Sequence, residues 1–160
     1  MRIIVMSDTH KKYSSIEKIV FRNMNADMFI HLGDGEDDVD LILDKFPELS
    51  PRFIHVRGNC DYGSLNGYSC VIPVESHKIY AAHGHLLGVN FGVDNMEKIA
   101  KENNCDIMLY GHTHCRFMKY DDGMYIMNPG SASSPRDGSK PSYGYIDITD
   151  AGIITNIVDL

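Results

Sequence analysis

Along this chain, short apolar runs keep ending abruptly in glycine, aspartate, asparagine or histidine. "RIIVMSDTH", "MFIHLGD", "FIHVRGNCD", "KIYAAHGH" and "IMLYGHTH" all have this shape. Such runs are too short to bury a helical face and rich in β-branched residues, so they read as buried strands with polar exits. Between them lie stretches with a helical period: Ile16, Ile19 and Val20; Val39, Ile42, Leu43 and Phe46; Met96, Ile99 and Ala100. Each set puts its apolar residues on one face. Ser14 with Glu17 predicts a capping box at the start of the first helix, and the second opens with acidic residues, favoured at a helix N-terminus. "SCVIPVES" supplies a further strand before "KIYAAHGH".

The last third changes character. "CRFMKYDDGMYIMNPGS" predicts a hairpin about Asp122-Gly123, and "YGYIDITDAGIITNIVDL" another about Ala151-Gly152. A chain that opens strand–helix–strand and closes in antiparallel hairpins predicts an α/β fold, with two packed sheets and helices on the outer faces. At 160 residues it is expected to form one domain, residues 1–160.

Charge narrows the function classes. Lys and Arg total 15 against 22 Asp and Glu, a net charge of −7, and no stretch is basic. That argues against tracking long nucleic acid by neutralising its phosphates. It leaves a phosphate substrate open, because bound metal ions reverse the sign locally. No apolar run approaches a membrane span, and the opening run meets Asp8 too early for a signal peptide; the expectation is a cytoplasmic protein without a membrane partner. The four cysteines form no C-x-x-C pair and are expected to be free thiols. Nothing in the sequence sets an oligomeric state.

In α/β sheets, ligands sit beyond the carboxyl ends of parallel strands. The strand exits offer Asp8, His10, Asp34, Asn59, His83, His112 and His114 there. This mixed oxygen and nitrogen set, with no obligatory thiolate, suits manganese, iron, zinc or cobalt. Seven groups exceed the needs of one tetrahedral ion, but they fit two ions if one carboxylate bridges. Asp34 is the natural bridge, since Asp8 and His10 share the first loop.

These fragments, in this order, resemble the calcineurin-like metallophosphoesterase superfamily, whose motifs run D-x-H, G-D-x-x-D, G-N-[H/C]-[D/E], H-G and G-H-x-H. Within it, the chain is most similar to the small bacterial and archaeal phosphodiesterases in which the third motif reads "GNCD". The likeness spans nearly the whole length, including "NPGSASSPR" and "SYGYIDI". It implies a two-sheet β-sandwich flanked by helices in four α-β-β-α layers. It implies that Asp8, His10, Asp34 and His114 hold one divalent ion, and that Asp34, Asn59, His83 and His112 hold the other. Manganese is the first candidate, with nickel, cobalt, iron or zinc as alternatives. The implied activity is hydrolysis of small phosphodiesters by direct attack of a hydroxide bridging the two ions. The alternatives are a phosphomonoesterase and a non-catalytic scaffold on the same fold.

Asp34, Asn59, Cys60 and His85 are the candidates for catalytic roles. Cys60 stands where many superfamily members carry a histidine that protonates the leaving oxygen, and Asp37 keeps the place of the acid that holds that histidine. A thiol beside a carboxylate keeps its proton tightly. Either leaving groups depart with little proton assistance, or His85 takes over the acid role. His31 and His55 are expected to be packed beneath the site, and His77 to sit in a turn. Asp61 either orients the Asn59 loop or is a plain turn carboxylate. Arg57 and Arg136 are candidates to pair with substrate, with surface salt bridges as the default. Ser131 is expected to brace the metal loops.

Overall fold

Alternation along the strands sorts the apolar residues into layers, and the computed structural model, which describes residues 1–160, realises that sorting. In β1 (Arg2–Met6), Ile3 and Val5 point to one side and Ile4 and Met6 to the other, all fully buried. A strand buried on both faces needs a cover on each. Ile3 and Val5 join Ile30, Leu32, Ile79, Leu109 and Met127 between two sheets. Ile4 and Met6 pack under α1 (Tyr13–Arg22) and α2 (Glu36–Lys45).

The first sheet has the order β10-β9-β1-β2-β3, where β2 is Met28–His31, β3 Phe53–His55, β9 Ser142–Thr149 and β10 Gly152–Asp159. The second has the order β4-β5-β6-β8-β7, with β4 Ser69–Val74, β5 His77–Ala82, β6 Ile107–Tyr110, β7 Arg116–Asp121 and β8 Met124–Pro129. α3 (Asp94–Glu102) covers its outer face through Met96 and Ala100, against Tyr80, Met108 and Tyr110. Helix, sheet, sheet, helix is the expected layering. No helix is long and apolar enough to cross a membrane.

Each sheet has a parallel core: β1, β2 and β3 in one, β5, β6 and β8 in the other. The predicted ligand loops all leave these strands at their carboxyl ends. The loops also bind one another, as in Asp8 N–H to Gly33 O at 3.0 Å and Gly111 N–H to His83 O at 3.2 Å. The sandwich therefore gathers all these exits at one end.

Local details depart from expectation in three places. α1 begins at Tyr13 with Lys12 as its cap residue and no side-chain cap bond, so the Ser14–Glu17 capping box does not form. Glu17 instead accepts from Lys45 Nζ of α2 at 2.6 Å. The hairpin about Asp122-Gly123 forms with both residues left-handed, as a two-residue turn of this hand requires. The second hairpin turns one residue early, through Asp150 and Ala151, because Gly152 already pairs with Thr149. His77 is not in a turn: it begins β5, and its ring pairs with Asp106.

Candidate metal centre

The backbone at this end of the sandwich is bent in an uncommon way. Asp8, His10, Asp34, His112 and His114 all have φ between 46° and 67°, in the left-handed region. For an L-residue this costs about 1–2 kcal/mol, less for short polar side chains, so the surroundings must hold it. They do. Ser131 and Ser133 both donate their hydroxyls to Asp8 O, at 2.8 and 2.9 Å. Asn128 Nδ2 donates to Gly111 O and Thr113 Oγ1, at 2.9 and 3.0 Å, pinning the turn between His112 and His114. Ser131 and Asn128 are fully buried; Ser131 is the brace the sequence suggested. Gly58 must be glycine, since a Cβ there would run into the Asp34 carboxylate and backbone.

The side chains converge in two groups. In the first, His10 Nε2 and His114 Nε2 lie 3.0 Å apart, with Asp8 Oδ1 at 3.7 and 3.2 Å from them and Asp34 Oδ2 at 3.8 Å from His10. In the second, His83 Nε2 lies 3.2 Å from Asn59 Oδ1 and 3.5 Å from Asp34 Oδ2. Asp34 thus faces both groups, as the bridging expectation required. His112 is the outlier. Its ring is 5.1 Å from that of His83, at the rim, and its Nε2 meets Asn90 Nδ2 at 3.0 Å.

The donor set fits divalent ions. His83 Nδ1 donates to Leu32 O at 2.6 Å and His114 Nδ1 to Ser134 O at 2.7 Å. Each bond fixes the tautomer that leaves Nε2 with a free lone pair, the usual support for a ligating histidine. Asp8 Oδ1 is fully buried without a hydrogen-bond partner, a costly state that a cation would relieve. Two imidazole nitrogens and a buried carboxylate oxygen facing one point suit a shared cation better than a lone imidazole–imidazole bond.

Electrostatics agree. Burial alone would raise the Asp34 pKa, but His83 and the Cys60 N–H, 2.7 Å from Oδ1, hold it well below the usual carboxylate range. Burial alone would lower the pKa values of His83 and His114, but Asp34 and Asp8 respectively pull them above the ordinary value. His85 and His112 go down, through burial and the neighbouring imidazoles.

Asp61 turns out to be a clamp. Its buried carboxylate accepts four backbone N–H bonds, from Asp34 (2.8 Å), Gly35 (2.8 Å), Glu36 (2.9 Å) and Gly58 (2.7 Å). It ties the Asp34 loop to the Asn59 loop. Burial opposes ionisation, but His55 and these N–H groups hold its pKa far below the ordinary value. Glu36, His55 and Asp61 lie close enough to suggest an ion site. With its lone pairs spent on four backbone N–H groups, Asp61 serves as a brace between the loops. His31 is buried alongside, its ring 5.0 Å from that of His55 and its Nε2 3.2 Å from Thr9 Oγ1.

Cys60 is exposed, and its Sγ accepts from Asn59 Nδ2 at 3.2 Å. Partial burial and Asp34 push its thiol up to about 11. Asp37, expected to serve residue 60, is exposed and lies 3.7 Å from Lys11 Nζ; the carboxylate beside the thiol is Asp34. His85 borders the second group, 5.2 Å from the His83 ring and 6.0 Å from the His112 ring. Arg57 forms no salt bridge; it donates to Ser64 O and stacks on Tyr68. The backbone N–H of Arg136 donates to His114 O. All four cysteines are free.

Asn90 and the reach of Asp61 escaped sequence reading. Asn90 sits in a loop with no motif, 22 positions from His112. Asp61 had a signal, an acid two positions after Asn59, but a turn carboxylate leaves the same one.

Comparison with known proteins places these features. The model of the calcineurin-like phosphoesterase superfamily domain matches residues 1–151. A probable metallophosphoesterase of Bacillus subtilis, YsnB, is 28% identical over 160 residues, covering 99% of this chain and 91% of the relative. The phosphodiesterase YfcE of Escherichia coli is 28% identical over 168 residues, covering 92% and 88%. A crystal structure from Streptococcus pneumoniae, described as a predicted phosphoesterase, superposes with a TM-score of 0.84 at 30% identity, covering 99% of this chain and 88% of that one.

Proposed function

Because the chain belongs to the calcineurin-like phosphoesterase superfamily, we propose that it is a phosphodiesterase using two divalent ions, manganese first among the candidates. The observation that carries this reading is the convergence of Asp8, His10, Asp34, Asn59, His83 and His114, with Asp34 between the two groups and Asp8 Oδ1 buried without a partner. When bound, the ions lower the pKa of water and neutralise charge developing on the phosphate. Asp8, His10, Asp34 and His114 would hold one; Asp34, Asn59, His83 and His112 the other, with Asn90 beside the His112 ring.

In this reading water attacks phosphorus directly and no side chain is phosphorylated. With no imidazole at residue 60, nothing there donates a proton readily to the leaving oxygen. That favours diesters with good leaving groups over monoesters, and a diesterase is also what the E. coli relative is named. His85 is placed to contact the phosphate or support His83. The substrate is small: a net charge of −7 and no basic tract speak against long nucleic acid. The cytoplasm is its proposed place of action.

Metal analysis combined with a diester assay tests the proposal. Two ions per chain, turnover of a diester, and its loss in Asn59→Ala are expected. Ion binding without turnover of any ester would favour a non-catalytic scaffold. Single turnover in 18O-water should put the label in the product without passage through the protein. Rates should fall steeply as leaving-group pKa rises; a flat dependence with chemistry rate-limiting would return the acid role to His85.

A further inference from the structure

A cleft of about 630 Å³ opens directly beside His10 and Asp34. That volume exceeds what a phosphoryl group needs and falls in the usual range of small-molecule sites. Three of its carboxylates are committed: Asp34 faces the ion ligands, Asp61 is spent on backbone N–H groups, and Glu36 accepts from Asn66 Nδ2 at 2.8 Å. Asp37 and Asp40 remain in its lining, answered by the single ammonium of Lys11. Tyr62, 89% exposed, and Leu65, 100% exposed, also belong to the lining. A second crevice, lined by Tyr68, Tyr80, Ala82 and Leu86 next to His85, has no carboxylate in its lining. Charge selection therefore belongs to the cleft beside Lys11.

We propose that this cleft takes the organic substituent of the phosphodiester and selects a cationic one, an amino alcohol or quaternary ammonium alcohol, over neutral and anionic ones. The inference rests on the phosphodiesterase reading above. Carboxylates and an aromatic ring lining one cleft are the two kinds of group that attract an organic cation. A second phosphate or a carboxylate on the substituent meets the same wall as like charge.

The test is a set of diesters sharing one chromogenic leaving group, with a trimethylammonioethyl, ethyl or carboxyethyl second substituent. In the manganese-loaded protein, kcat/KM should fall in that order, by about fivefold or more from first to last, and the spread should narrow as salt is added. The double substitution Asp37→Asn, Asp40→Asn should shrink the cationic-to-anionic ratio towards one. Equal kcat/KM across the set would overturn this inference and leave the phosphodiesterase reading standing. No turnover on any diester would overturn both. Cys60, on the rim of the same cleft, reads its field without turnover. In metal-free protein a cationic methanethiosulfonate reagent should modify Cys60, followed by peptide mass, faster than an anionic one of equal size, each rate taken relative to a free thiol. The double substitution should reduce that ratio, and a ratio unchanged by it would overturn the proposal.

Discussion

Around Asp8, His10 and His114 the ties to the scaffold are many: two serine hydroxyls on Asp8 O and Ser134 O on the His114 ring, beside the turn shared with His112 that Asn128 holds. Around Asn59, His83 and His112 they are fewer. His83 is anchored by Leu32 O, but Asn59 and Asn90 are exposed and His112 leans on the latter. Both carboxylates serve both groups: Asp8 and Asp34 flank His10 in the first, and the same pair lies within 4.8 Å of His83 in the second. A preformed set holds a cation more tightly than a looser one, so on the proposed reading the two ions bind unequally.

The largest expected effect removes what the halves share. Asp34→Ala should lower kcat/KM by about a thousandfold and abolish both binding steps in a calorimetric manganese titration; activity within tenfold of the parent would mean that the halves do not meet at this carboxylate. Next comes the looser half alone. The parent should titrate in two steps at least about tenfold apart. His112→Ala should lose only the weaker step, with turnover down about a hundredfold. Loss of the tighter step instead would reverse the comparison.

Asp61 joins the halves, and its effect on stability can be read without metal. Asp61→Asn should cost about 2 kcal/mol at pH 7, as charge-assisted bonds to backbone N–H groups are lost. The folded pKa of Asp61 is depressed, so its contribution is present above the ordinary carboxylate pKa and fades as pH falls below about 4. Melting curves in chelator should therefore show the gap between parent and variant closing in acid; a constant gap would refute the linkage. Asn90→Ala should weaken the second manganese step about tenfold while sparing the first. Smallest is Ser131→Ala, about 1 kcal/mol. It should appear as a fall of about 3 °C in Tm, since Ser133 still holds Asp8 O.

The fold was largely legible because its two periodicities are plain. Val39 and Ile42 mark one helical face as clearly as Ile3 and Val5 mark a strand, and both pairs are buried. Interactions that cross the chain at short-range positions were not legible. Ser14 and Glu17 have capping-box spacing, but α1 starts earlier and Lys45 on another helix takes Glu17. The convergence of the candidate ligands could be anticipated because chemistry restricts which side chains hold such ions. Their relative grip was hidden: it depends on carbonyls such as Leu32 O and Ser134 O, which carry no residue signature, and on Asn90, which belongs to no motif.

The left-handed bends at five of the proposed ligand positions bear on engineering. Copying the same seven side chains onto another β-sandwich would move the chemistry without the loops that aim it, because most sequences relax such residues into extended or right-handed backbone. A successful transplant would need the hydroxyls, the amide of Asn128 and the carboxylate clamp as well, so the smallest portable unit of this centre is a set of cross-linked turns, not a list of donors.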